Sequence, residues 1–208
     1  MLRKKAEEYH SLILSLLFHV CDFIVSRTLL DLFRLFGVKR DQIKIRHLEI
    51  YLCSTTFLIL LLIYLSWSSN FAGWILVILG STRILQVISI NAMSLLFGLR
   101  LLSPEVPDRE RMRWHFIAIF FSVLDILFLY GFFYHFFNRL YGVLSVSPDS
   151  FFDHLYFAMI TLMTVGYGDI VPLSALGKFL AISETFVGVF VFVFLVNSAV
   201  SRFQRHLE

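Results

Sequence analysis

The residues with the clearest chemical potential form one continuous motif, Thr164-Val165-Gly166-Tyr167-Gly168-Asp169. In this motif glycine alternates with larger residues, and glycine adopts backbone conformations that are closed to other residues. Such a strand can turn successive carbonyl groups toward the same side. Four strands of this kind around one axis would form stacked rings of carbonyl oxygen, which can replace the hydration shell of a cation. The motif therefore indicates a cation-binding site made from the protein backbone.

Arg83 and Asp125 also require an explanation, because each lies near the middle of a long apolar stretch. An isolated charge is costly at the centre of a bilayer, and a pair of opposite charges across a helix interface costs less. We therefore predict a structural ion pair between Arg83 and Asp125. The alternative is a voltage-sensing role for Arg83. Voltage sensors carry several arginines along one helix, whereas this stretch has a single one, so the structural pair is favoured.

The rest of the sequence contains no pattern typical of an enzyme. No pair of acids and no nucleophile–base cluster stands out, no dinucleotide or phosphate fingerprint occurs, and the seven histidines show no metal-ligand spacing. We expect neither catalysis nor an organic cofactor. The net charge of +3 comes from short basic clusters beside apolar runs, a pattern typical of cytoplasmic membrane loops rather than of nucleic-acid binding.

The elements that must position these residues are predicted to be membrane helices. Of the 208 residues, 58% are hydrophobic and 16% are charged, whereas soluble domains are usually about 45–50% apolar and about 25% charged. A helix needs about 20 apolar residues to cross a bilayer. Four stretches reach that length: 49–67, 71–99, 115–137 and 173–202. The shorter run 151–163 has the length of a re-entrant half-helix and leads directly into the motif.

The N-terminal segment 10–36 is ambiguous, because a narrow polar stripe follows one face of an otherwise apolar helix. Basic residues flank both of its ends, so we favour an interfacial helix over a spanning one. The predicted organisation has four parts: an amphipathic helix and basic linker (1–47), a peripheral two-helix membrane region with its linker (48–113), a pore domain (114–205) and a short tail (206–208). The terminal Leu207 and Glu208 are typical of a cloning remnant.

The distribution of basic residues predicts one orientation. Arg109, Arg111 and Arg113 precede the third predicted span, and Arg202 and Arg205 follow the fourth. Because cytoplasmic loops carry an excess of lysine and arginine, both ends of this region are predicted to lie in the cytoplasm. The half-helix and the motif then approach from outside. His135 and His154 are predicted near the outer mouth, where protonation could modulate current, although packing or exposed roles are favoured.

The motif, the half-helix before it and the two flanking helices together resemble the pore domain of the potassium channel family. The resemblance covers about residues 115–205 and implies an all-α membrane protein that assembles as a four-fold homotetramer. Potassium ions would bind at the carbonyls of Thr164, Val165, Gly166 and Tyr167, with Gly168 completing the selectivity filter. The filter would need no other cofactor.

The same resemblance implies roles for residues around the filter. Tyr156, Thr161, Asp169 and Glu184 would support it, and Gly188 would act as a gating hinge; close packing is the alternative reading of Gly188. For Glu184, a brace toward the pore helix is favoured over a position facing the cavity. The sequence also departs from the family: Tyr156-Phe157 replaces paired tryptophans, Met163 replaces a threonine, and Ile160 stands where some members have an acid. These changes put the stability of the conducting filter in doubt.

The sequence thus predicts a passive potassium channel subunit of the plasma membrane that lacks an arginine-ladder voltage sensor and has a cytoplasmic C-terminus. Its expected partners are three identical subunits, membrane lipid, and a cytoplasmic gating domain or ligand outside this chain. Two alternatives stay open. A secondary potassium transporter is disfavoured because such proteins carry four degenerate pore repeats, and a non-conducting regulatory subunit is compatible with the sequence.

Overall fold

A computed structural model describes residues 19–20, 54–61, 63–64, 70–97 and 108–204. Four long or well-bounded helices lie within these ranges: α1 (Asn70–Phe97), α2 (Asp108–Tyr141), α3 (Phe151–Leu162) and α4 (Ala175–Gln204). Residues 54–61 and 63–64 are also helical. In the described part of the chain there is no β-strand, only an isolated bridge between Leu144 and Pro172. The all-α prediction is confirmed, while most of the predicted N-terminal helix falls outside these ranges.

Among the described residues, three helices are long and apolar enough to cross a membrane. The spanning segments are Asn70–Ala92, Phe116–Tyr141 and Ala175–Phe194, and the 12-residue α3 is too short to cross. Large apolar side chains such as Phe71, Ile78 and Phe120 are exposed, as expected for helix faces that contact lipid. The chain is therefore an integral membrane protein. Of the predicted 49–67 span, only part lies within the described residues.

Local sequence signals fix the ends of the helices near the motif. The Ser150 side chain accepts a hydrogen bond from the Asp153 backbone N–H (3.3 Å) and caps α3, as serine commonly does at helix N-termini. At the end of α2, Gly142 has a φ of +61° and donates its N–H to the Asn138 carbonyl (2.9 Å). Ser174 caps α4 by accepting the Gly177 N–H on its hydroxyl (3.1 Å).

The central element is α2, which packs against α1, α3 and α4. Small residues allow two of these contacts. A Cβ atom at Gly131 would come within 2.9 Å of Leu155 on α3, and a Cβ at Gly80 would come within 2.7 Å of Leu129. Glycine lets membrane helices approach closely, which strengthens van der Waals packing. Gly131 thus lets the short α3 pack closely on α2, and Gly80 lets α1 do the same.

Backbone hydrogen bonds join the start and the end of the segment that connects α2 to α4. The Ser145 N–H donates to the Val171 carbonyl (3.0 Å), and the Leu173 N–H donates to the Val143 carbonyl (2.9 Å). Asn138 reinforces this region, since its side chain donates to the Val146 carbonyl (2.9 Å) and accepts the Leu144 N–H (2.8 Å). The segment that contains α3 and the motif is therefore a closed loop.

Candidate functional site

The motif begins directly at the C-terminus of α3 and is anchored to its last turn. The Thr164 N–H donates to the Thr161 carbonyl (3.0 Å), while the N–H groups of Val165 and Gly166 both donate to the Ile160 carbonyl (2.8 and 3.2 Å). These bonds use the carbonyls that a helix end otherwise leaves without partners. The position of residues 164–168, the filter segment, is thus set by the end of α3.

The sign of the backbone angle φ alternates from residue to residue along the filter segment. Thr164, Gly166 and Gly168 have positive φ values of +55°, +58° and +79°, whereas Val165 and Tyr167 between them do not. In an ordinary strand successive residues face opposite sides, and reversing φ at every second residue cancels that alternation. Successive carbonyl groups can then face one side. Thr164 is the only non-glycine residue with positive φ among the described residues, and such strain persists where the surrounding structure imposes it.

Tyr156 contacts the residue that follows the filter segment. Its hydroxyl donates a hydrogen bond to Asp169 Oδ2 (2.9 Å). This bond raises the pKa of the Tyr156 phenol, because loss of the proton would remove the donor beside a carboxylate. A tyrosine on α3 therefore reaches the acid after the filter. Val165, Tyr167 and Asp169 themselves are exposed in the single chain.

The other α3 residues named from the sequence occupy different environments. Ile160 is buried, Thr161 is half-buried, and Met163 is exposed. The contribution of Thr161 described by the structure is its backbone carbonyl, which accepts the Thr164 N–H. The apolar Ile160 side chain offers no hydrogen bond to the back of the filter, so anchoring there depends on backbone groups.

Glu184 forms a hydrogen bond with the outer helix, and its predicted role as a brace for the filter stays a prediction. Its side chain is completely buried on α4 and accepts a hydrogen bond on Oε2 from the Tyr134 hydroxyl of α2 (2.7 Å). The Tyr134 ring in turn packs edge-to-face on Phe157 of α3, with ring centroids 4.9 Å apart. Tyr134 thus links Glu184 on α4 to Phe157 on the pore helix. The sequence pattern gave no signal for Tyr134.

Gly188 lies where α4 passes the end of α3. A Cβ atom at this position would come within 2.9 Å of Leu162 Cδ1 and 3.0 Å of the Leu162 carbonyl oxygen. This spacing is tighter than normal packing, so the geometry supports the close-packing reading of Gly188. The hinge role stays a prediction.

Residues 113–205 match the family model described as "Ion channel". A voltage-gated potassium channel from Aeropyrum pernix is 34% identical over 90 residues, covering 36% of this chain and 30% of that protein. Two-pore potassium channel 4 from Arabidopsis thaliana is 32% identical over 104 residues, covering 48% of this chain and 36% of that protein. No solved structure matches the chain.

Residues 113–205 are therefore similar to ion channels, and the two relatives named here are both potassium channels. The matches span about a third of the length of each relative, and the matched family and both relatives are ion channels rather than enzymes. In potassium channel terms, α2 is the outer helix, α3 the pore helix and α4 the inner helix.

Outside the matched segment, Arg83 of α1 contacts Asp125 of the outer helix. Its Nε and Nη2 atoms donate to Asp125 Oδ2 at 2.9 and 2.8 Å, and both side chains are buried. The Thr56 hydroxyl donates to the other carboxylate oxygen (2.6 Å), and Arg83 Nη1 donates to Gln86 (3.2 Å). Asp125 thereby joins the outer helix to two peripheral helical segments, residues 54–61 through Thr56 and α1 through Arg83.

His135 and His154 lie side by side, although they are separated by nineteen positions in the sequence. Their ring centroids are 5.2 Å apart, and both residues are buried between the outer helix and the pore helix. The sequence favoured packing or exposed roles for each one separately and did not predict this pair. No group of three or more His, Cys, Asp or Glu side chains suited to a metal ion occurs among the described residues.

Proposed function

We propose that this chain is one subunit of a homotetrameric channel that conducts potassium passively across the membrane. The observation that carries the proposal is the alternation of positive φ at Thr164, Gly166 and Gly168, which lets successive carbonyls face a common axis. Rings of such carbonyls replace the hydration shell of potassium in potassium channels. The names of both relatives, each a potassium channel, support the same ion.

The tetramer is proposed because one chain supplies only one filter strand, and a ring of carbonyls requires several. The inner helix also presents an apolar groove lined by Ile182, Phe186, Val189 and Val193, and Phe186 is 78% exposed in the single chain. A neighbouring subunit would cover part of this face. Closed rotational symmetry is the usual arrangement of identical subunits.

The proposed topology places the filter outside and the C-terminus in the cytoplasm of a plasma-membrane channel. Arg109, Arg111 and Arg113 lie at the start of the outer helix, before its spanning segment Phe116–Tyr141, and Arg202 and Arg205 lie at or after the end of the inner helix. This distribution supports the orientation through the positive-inside rule. We also propose that the channel lacks an arginine-ladder voltage sensor, because the single arginine of α1 is engaged by Asp125.

Cation flux through the purified protein in liposomes tests this function. We expect flux of potassium and rubidium but not of sodium, with block by barium. Equal sodium flux would show that the Met163 or Tyr156 substitution has loosened the filter and would overturn the selectivity. Slow, saturable flux would favour a transporter, and no flux under any condition would favour a non-conducting subunit.

A further inference from the structure

The pair formed by His135 and His154 has a geometry that packing alone does not require. His135 is 6% exposed on the outer helix, and His154 is completely buried in the first turn of the pore helix. Their rings are inclined by 82°. Neither imidazole takes part in the proposed conduction mechanism, so conduction does not explain why two adjacent histidines are buried.

The hydrogen bonding of His154 fixes which of its nitrogens has a free lone pair. Its Nδ1 atom is hydrogen bonded to the Ser150 carbonyl. Because a carbonyl oxygen only accepts, Nδ1 carries the hydrogen, and Nε2 of the neutral ring is an acceptor. Nε2 is buried and has no hydrogen-bond partner. A histidine that ligates a metal typically donates its other ring N–H to a carbonyl or carboxylate, which is the arrangement found here.

The separation of the two rings also suits a shared metal ion. With metal–nitrogen bonds of about 2.0–2.1 Å and a tetrahedral angle, the centroids of two imidazoles bound to one zinc ion are about 5.2 Å apart. The observed separation is 5.2 Å. Edge-to-face packing gives separations from about 4.5 to about 7 Å, so the observed distance is compatible both with packing and with a shared ion.

We propose that His135 and His154 bind one zinc ion between the outer helix and the pore helix. Because the protein supplies two imidazoles and the described residues contain no cluster of three ligand side chains, water would complete the coordination and the affinity would be moderate. Asp153 acts electrostatically on His154, and Asp149 on His135, in the direction that favours a cation, whereas Arg139 opposes a positive charge at His135. Asp149 is exposed in the loop before α3.

Bound zinc would link the first turn of α3 to α2. The opposite end of α3 carries the filter segment through the Ile160 and Thr161 carbonyls. The ion would therefore fix the N-terminal end of the helix whose C-terminal end positions the filter, about 18 Å away for 12 residues at about 1.5 Å each. Zinc on the outer side would be a regulator of this channel domain rather than a permeant ion.

Zinc binding to the full chain in detergent, purified without a histidine tag, tests the proposal directly. Isothermal titration with zinc chloride is expected to show one saturable site per chain. His135→Gln and His154→Gln should each weaken binding by at least about tenfold, as expected for loss of a metal-ligand imidazole, and the double substitution should add little further. The matched control is His206→Gln, which lies outside the pair and should bind as the parent does.

X-ray absorption at the zinc edge of the unsubstituted protein decides the ligands even if the buried His154→Gln variant does not fold. Two imidazole nitrogens in the coordination shell are expected. The proposal is overturned if no saturable binding occurs, if His135→Gln binds zinc as tightly as the parent, or if the coordination shell lacks two imidazoles. All of these measurements report binding, so they stand apart from the outcome of the flux experiment.

Discussion

At the scale of single residues, the hydroxyl of Tyr156 holds the acid that follows the filter. The substitution Tyr156→Phe removes the donor to Asp169 (2.9 Å) and leaves the ring in place. We expect potassium over sodium selectivity to be retained, because the carbonyl-bearing residues are unchanged, and the conducting state to be shorter-lived. Single-channel recording measures this lifetime.

The matched control for this prediction is Tyr141→Phe. Tyr141 is likewise an exposed tyrosine, at the end of α2, where its ring stacks on Phe137. We expect its loss to leave the open lifetime unchanged. Equal lifetimes in Tyr156→Phe and the parent protein would contradict a role of the Tyr156 hydroxyl in filter stability.

Glu184 and Tyr134 form the second residue-scale test, through a buried hydrogen bond of 2.7 Å. Glu184→Leu, which has no acceptor, and Tyr134→Phe should each lower the free energy of unfolding by about 0.5–2 kcal/mol, the range for buried hydrogen bonds in proteins and membranes. Because both changes remove one interaction, their effects should not add in the double variant. Denaturant titration of the purified protein measures all three variants.

Tyr130→Phe is the control for this pair, since its hydroxyl donates to the half-buried Ser183 (3.1 Å) rather than to a carboxyl group. Because the Tyr130 ring lies beside Tyr134, with centroids 6.4 Å apart, its coupling to Glu184→Leu should be smaller than that of Tyr134→Phe but not zero. If Glu184→Gln changes neither conductance nor filter stability, Glu184 supports the filter in no way.

The residues of the filter were predictable from sequence, and most of their partners were not. Thr164-Val165-Gly166-Tyr167-Gly168 is one continuous motif, so it can be located from the sequence alone. By contrast, Tyr134 and Glu184 are fifty positions apart, and His135 and His154 belong to different helices. Their contacts depend on the rotation of each helix about its axis, and the helices are apolar on most faces, so no hydrophobic stripe indicates which face packs inward.

At the scale of elements, the crossing of the inner and pore helices is controlled by Gly188. In Gly188→Ala the new Cβ would come within 2.9 Å of Leu162 Cδ1 and 3.0 Å of the Leu162 carbonyl oxygen. We therefore expect the free energy of unfolding to fall by about 1–3 kcal/mol, as in overpacked cores. Combining it with Leu162→Ala should recover part of the stability if packing is the cause. A hinge role predicts instead slower opening with unchanged stability, which recordings and thermal unfolding distinguish.

The contact between α1 and α2 depends on Arg83 and Asp125. Removing either charge leaves the other buried without its partner, which typically costs about 3–5 kcal/mol. Arg83→Glu and Asp125→Arg should therefore each reduce the yield of folded tetramer, and the doubly reversed variant should fold better than either. Size-exclusion chromatography of membrane extracts measures the yield.

Arg139→Gln provides the control, because this exposed arginine donates to Asn70 at the end of the helix pair (2.6 Å) and exposed contacts contribute little. A double reversal that folds no better than the single variants would count against a structural pair. In that case Arg83 would require another role, and the voltage dependence of its neutral variant would be the next measurement.

At the scale of the whole molecule, the proposed assembly makes a quantitative prediction. Gly166→Val places a β-branched residue at a φ of +58°, a conformation that such residues rarely adopt, and should abolish conduction. When parent and variant chains are expressed equally and mix at random, only all-parent tetramers conduct, so about one sixteenth of the current should remain. A remainder of about one quarter would indicate dimers instead. Tyr141→Phe, at an exposed position outside the filter, serves as the co-expression control.

The hydrogen bonds that join residues 143–145 to residues 171–173 have a consequence for protein engineering. A segment whose two ends are fastened to each other can be exchanged between related proteins as a single cassette, with both junctions outside the membrane helices. A graft of residues 146–170 would carry the pore helix, the filter and its acid together. Ion preference would then travel with the cassette, whereas the response to a stimulus would stay with the recipient.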